Sequence, residues 1–105
     1  MSQVSTPRTY VTVITEVRVR LRRGRGGPDI LRGFATITIN GCFAIHNMKI
    51  IYGEERGLFV SMPAVQRNGR YQDIAHPITP EFRDEMEKAV IAEYEAELSR
   101  NGGGD

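Results

Sequence analysis

Residues 31–52 read LRGFATITINGCFAIHNMKIIY, two runs rich in β-branched and aromatic residues separated by Asn40-Gly41. Asn and Gly tolerate positive φ, so this dipeptide suits a two-residue type I′ hairpin between residues 31–39 and 42–52. Such a turn pairs Ile39 with Cys42, Ile37 with Ala44 and Ala35 with His46, and sets them on one face with Met48 and Ile50, the expected core. The opposite face carries Arg32, Phe34, Thr36, Thr38, Phe43, Ile45, Asn47 and Lys49, a mixture too apolar for plain solvent surface.

Working outward, residues 10–23 alternate with period two. Val11, Val13, Val17, Val19 and Leu21 fall on one side and Thr12, Glu16, Arg18, Arg20 and Arg22 on the other, the pattern of a half-buried strand. Residues 23–29, with three glycines and a proline, stop it in a basic loop. Gly57 to Met62 reads as a short strand ended by Pro63, and Asn68-Gly69 as a second tight turn before Arg70 to Ile74. After Ala75-His76-Pro77-Ile78 the period changes to that of a helix. Thr79 as N-cap, Pro80 at the first helical position and Glu81 in the first turn start it. Phe82, Met86, Ala89, Val90, Tyr94 and Leu98 then form an apolar stripe to about Ser99. The expected architecture is α+β: a small antiparallel sheet of four to six strands packed with a C-terminal amphipathic helix. It occupies one domain over residues 10–99, with disordered tails at 1–9 and 100–105.

The 105 residues, 40% hydrophobic and 26% charged, match one globular domain and no fibrous or disordered class. Burial is limited at this size, so a homodimer is expected. No apolar run approaches the ~20 residues of a membrane-spanning helix, and the start of the chain lacks a secretory pattern, so a cytoplasmic protein with no membrane contact is expected. Cys42 is the only cysteine, which excludes an intrachain disulfide and marks a small buried thiol.

Catalysis has few candidates. A Cys42–His46 dyad would make a small hydrolase, but the expected register turns both inward as core groups. His46, His76 and Asp73 lack any close metal-ligand spacing, and the helix acids read as a solvated face. No phosphate-cradling glycine loop precedes a helix. Neither enzyme activity, nor a cofactor, nor a metal site is expected.

Charge is the stronger signal. The net +1 hides +6 over residues 1–76 and −5 over residues 77–105, and twelve of the fourteen basic residues are Arg, suited to bidentate phosphate contact. Arg18, Arg20 and Arg22 project from one strand face at intervals of about 6.6–6.8 Å, close to the phosphate spacing of an extended strand. Arg23, Arg25 and Arg32 extend that patch, and Arg67 and Arg70 flank the second turn, giving eight candidate nucleic-acid contacts. A cationic outer strand that deters edge aggregation accounts for two arginines better than for six. Phe34 and Phe43, placed close together by the expected register, either stack bases or serve as core and interface.

Gly57-Leu58-Phe59-Val60-Ser61-Met62-Pro63 followed by Tyr71-Gln72-Asp73-Ile74-Ala75-His76-Pro77-Ile78 resembles the signature of the stage V sporulation protein G (SpoVG) family. Thr15 to Arg20, the central hairpin, and Ala89-Val90 with Tyr94 resemble its opening strand, hairpin and helix. The resemblance covers roughly residues 13–98. It implies a homodimeric bacterial cytosolic regulator that binds DNA and RNA and influences gene expression, septation and sporulation. The family's basic stretch after Met-Pro and its Arg before Asp-Ile-Ala-His-Pro are replaced here by Ala64, Val65, Gln66 and Gln72, with Arg67 and Arg70 nearby. His76 and Pro77 are expected to be structural. The rival reading is a protein-interaction module, docking Phe34, Phe43, Ile45 and the acidic helix onto a cell-division or regulatory partner without binding nucleic acid.

Overall fold

The computed structural model describes residues 11–22 and 30–102, the last two in backbone only. Four strands, β1 (Ile14–Leu21), β2 (Leu31–Ile39), β3 (Phe43–Gly53) and β4 (Gly57–Ser61), form an antiparallel meander in the order β1-β2-β3-β4. β5 (Ala64–Arg67) and β6 (Arg70–Asp73) pair separately as a two-stranded ribbon, and α1 (Pro80–Gly102) closes the fold. This is the expected α+β architecture, with the ribbon detached from the main sheet. Helix α1 runs past Ser99 to Gly102. Among the described residues no helix is long and apolar enough to cross a membrane.

The helix starts as its sequence dictates. Thr79 Oγ1 accepts the Phe82 N–H at 3.2 Å, and the Thr79 carbonyl accepts the Arg83 N–H at 3.1 Å. At the other end Arg100 donates to both Glu93 and Glu97, and these bonds, Glu97's first, raise its pKa above the ordinary value. The apolar stripe lies on β1, β2 and β4. Its Met86, Val90 and Tyr94 are buried against Ala35 and Ile37 of β2, Met48 and Ile50 of β3, Val60 of β4, and Met62. Leu98, expected in this stripe, is 41% exposed.

The turn keeps its expected chemistry but not its expected register. Asn40 (φ 53°) and Gly41 (φ 66°) both take positive φ, and the Cys42 N–H donates to the Ile39 carbonyl at 3.0 Å. Past the turn, however, Ile39 pairs with Phe43 and Ile37 with Ile45, one residue later than expected. A bulge then sets His46 and Asn47 against Thr36, so that Ala35 pairs with Met48. Asn47 supports it in left-handed backbone at φ 63°. Two single-residue shifts restore the original alternation, and Met48 and Ile50 face the core as expected. Between the shifts the faces are exchanged: Ile45 packs on the core, whereas Ala44 and His46 are exposed. Cys42, in the turn, is exposed rather than buried.

The same device operates in β1. Between Ile14 and Glu16 the register slips by one, so Ile14 packs on the core and Val13, expected there, is 45% exposed. The segment before β1 is clamped to the hairpin turn. Asn40 accepts the Val13 N–H at 2.8 Å and donates to the Val11 carbonyl at 3.1 Å, while Thr15 Oγ1 accepts the Gly41 N–H at 2.8 Å. At the far end Gly33 admits a close approach of β1, since a Cβ there would sit 2.8 Å from the Arg20 carbonyl oxygen.

Candidate nucleic-acid interface

One helix covers only one face of a four-stranded sheet. Among the described residues the opposite face stays open, and strand alternation decides what it carries. Val17 and Val19 turn inward against Ile37 and Ala35, so Glu16, Arg18 and Arg20 turn outward. Register then aligns one residue from each strand. Arg20 pairs with Phe34, Phe34 with Lys49, and Lys49 with Ser61, a straight row across β1, β2, β3 and β4. At about 4.8 Å between strands the row spans roughly 14 Å.

The row is held in shape by stacking. The Arg20 guanidinium carbon lies over the Phe34 ring, 4.7 Å from its centroid, a cation–π contact that holds the cation on the open face. Arg18 next to it pairs with Thr36 across the sheet, and its Nε donates to Glu16 at 2.8 Å, an exposed ion pair. At the far corner Arg56 stacks 4.1 Å from Phe59, whose ring fits over Gly53. His46, expected in the core, stands on this open face with Nδ1 3.3 Å from Thr36 Oγ1.

Six of the eight expected arginines fall in the described residues, and they do not form one patch. Arg18 and Arg20 stand in the row, and Arg22 lines a cleft with Arg20, Leu21 and Phe34. Arg32 is diverted: a register shift between Leu31 and Gly33 lets it stack 5.0 Å from Tyr52, which shares the Ile50 and Leu58 side of the sheet. Arg67 and Arg70 pair at the ribbon turn, where Asn68 (φ 52°) and Gly69 (φ 77°) make the bend. Arg23 and Arg25 lie outside the described residues. Lys49 and Arg56 are the cations that sequence reasoning left out of the site. The alternation of residues 48–50 signals Lys49, whereas nothing in the sequence signals Arg56 on Phe59.

The other expected groupings separate. Phe34 lies beside Arg20, whereas Phe43 pairs with Ile39, five residues or about 17 Å further along β2, and is 62% exposed at the hairpin end. Ile45 packs on the helix side, so Phe34, Phe43 and Ile45 share no docking face. Cys42 and His46 form no dyad, because the His46 ring bonds Thr36. Among the described residues no three His, Cys, Asp or Glu side chains gather as a metal site would need, and the His76 ring turns to the Pro77 carbonyl at 3.0 Å.

Between the open face and the ribbon runs a groove. Lys49, Ile51 and Ser61 line its sheet side, and Tyr71, Asp73 and Ile74 its ribbon side. The backbone bond from the Ile74 N–H to the Pro63 carbonyl, 2.8 Å, sets the ribbon's base against the end of β4.

The sequence is similar to those of known proteins. The SpoVG family model matches residues 12–96. A relative from Anaeromyxobacter sp. (strain K), named "Putative septation protein SpoVG", is 42% identical over 90 residues, covering 85% of this chain and 84% of the relative. Relatives of the same name from Treponema denticola and Myxococcus xanthus are 46% and 43% identical. They cover 78% and 72% of this chain, and 85% and 77% of their own lengths.

Proposed function

The chain belongs to the SpoVG family, and we propose that it is a homodimeric, cytoplasmic regulatory protein that binds DNA or RNA through the open face of its sheet. The relatives' name points to septation, and the family resemblance to gene expression and sporulation, as the processes it influences. The observation that carries the reading is the Arg20–Phe34–Lys49–Ser61 row with Arg18 beside it, cationic and uncovered while the helix occupies the other face. Phosphates meet Arg18, Arg20 and Lys49, with Arg22, Arg67 and Arg70 at the margins. Binding rather than catalysis is the role this face suits. Exposed Val11, Phe43 and Ile78 give a second copy apolar surface to cover, and a two-fold axis would double the cationic rows.

The test is a fluorescence-anisotropy titration of labelled duplex DNA, single-stranded DNA and RNA at two salt concentrations about fourfold apart, with wild type and an Arg20→Ala/Lys49→Ala double variant. Affinity should fall steeply with salt, and the double variant should lose about 1.4–1.8 from the log–log slope, roughly 0.7–0.9 per phosphate released. No binding to any of the three at low salt, or an unchanged slope in the double variant, overturns the assignment. Sedimentation velocity tests the dimer.

A further inference from the structure

The groove between the sheet and the ribbon has a chemistry the phosphate row does not use. Its volume is about 420 Å³, within the ~300–1,000 Å³ of small-ligand pockets. Its walls are apolar at Ile51 and Ile74, and the phenol of Tyr71 stands 77% exposed beside them. Ser61 and Asp73 add hydrogen-bonding groups, and Lys49 belongs to both the groove and the cationic row.

We infer that this groove takes one unpaired nucleobase from a single strand lying along the row. The inference rests on the proposed nucleic-acid function and deepens it. A nucleobase has two apolar faces and a polar edge, which is what apolar walls and an aromatic ring with a few hydrogen-bonding groups accept. The row leads a strand to the groove, because Lys49 and Ser61 are its last two members and both line the groove. Within a duplex the base faces are covered by stacking, so only an unpaired or extruded base reaches Tyr71. Asp73 is acceptor-only when ionised, so it favours cytosine, whose exocyclic amine offers two N–H donors, over thymine or uracil, whose single N3–H sits between two carbonyl oxygens that repel a carboxylate.

The experiment titrates oligo(dC), oligo(dT) and a duplex with wild type, Tyr71→Ala, Tyr71→Phe, Asp73→Asn and the Arg20→Ala/Lys49→Ala variant. Tyr71→Ala should weaken single-strand binding about 5- to 150-fold, the range for losing one base stack, with the salt slope and duplex affinity unchanged. Tyr71→Phe should restore it, and Asp73→Asn should shrink the preference for oligo(dC) over oligo(dT). Full single-strand affinity in Tyr71→Ala, or equal losses on single strand and duplex, overturns the groove. If the row variant still weakens binding in that case, the phosphate reading survives alone. If wild type binds none of the oligonucleotides, both fail together.

Discussion

Glu16 is an acid paired with a cation of the open face, and, on the proposed function, neutralising it should make the protein bind a polyanion more tightly. Its Oε2 accepts from Arg18 Nε at 2.8 Å, with the two side chains 49% and 77% exposed. An exposed pair of this kind is worth about 0.2–1 kcal/mol, which a phosphate must overcome to recruit Arg18. The carboxylate also repels a phosphate bound at Arg18. At about 7 Å in water one pair of unit charges contributes about 0.6 kcal/mol. Together Glu16→Gln removes roughly 0.8–1.6 kcal/mol of opposition, so affinity should rise about 4- to 15-fold at low salt. The gain should fade toward 1 M salt, where the Debye length is only about 3 Å. Gln keeps the shape of the side chain, and loss of an exposed pair should leave the melting curve within about 0.5 kcal/mol of wild type. The assay is anisotropy with a labelled single strand over a salt series, beside thermal unfolding. Equal or weaker binding at low salt with normal unfolding would refute the view that phosphates meet this face.

Two further predictions concern how the face is built. Asn47→Val should cost about 1–2 kcal/mol, because a β-branched side chain is poorly tolerated at φ 63°. That is a drop of roughly 4–15 °C in melting temperature, whereas Asn47→Gly should stay close to wild type, and equal melts for the two would contradict the bulge. Glu87 Oε2 accepts the N–H of buried Val60 at 3.1 Å and lies 3.8 Å from Arg83. Glu87→Ala should therefore cost about 1–3 kcal/mol and speed hydrogen exchange at Val60, with Glu87→Gln milder because it keeps an acceptor oxygen. Unchanged exchange in Glu87→Ala would disprove that contact.

Much of the architecture was legible because it follows from local rules. The alternation of residues 16–21 marks β1, Asn40-Gly41 marks the turn, and Thr79-Pro80-Glu81 marks the helix start, and each holds in the structure. Register is different in kind. A strand changes face when one residue is added, and nothing in the residue types around Asn47 states that its backbone will be left-handed. For that reason Cys42 and His46 were expected in the core and Ile45 opposite it, while Met48 and Ile50 beyond the bulge were placed correctly. The candidate site divides along the same line. Arg18 and Arg20 follow from simple alternation, whereas a register shift diverts Arg32 to Tyr52. The groove and the Glu87 contact join residues far apart in the chain, such as Lys49 with Tyr71 and Val60 with Glu87, and no local pattern encodes such pairs.

The split in charge along the chain acquires a direction from the packing. Residues 77–105 carry −5 and include the whole helix, whose apolar stripe is fixed against the sheet. Its acids Glu81, Asp84, Glu85 and Glu95 are therefore exposed on the side away from the row. Residues 1–76 carry +6, and of these Arg18, Arg20 and Lys49 stand on the uncovered side. A polyanion approaching the helix meets repulsion, and one approaching the sheet meets attraction, although the net charge of the chain is only +1. Net charge is thus a poor guide to where this chain attracts a polyanion. Orientation comes from the sheet acting as a partition: one face is closed by the stripe of Met86, Val90 and Tyr94, and the other stays open for the arginines.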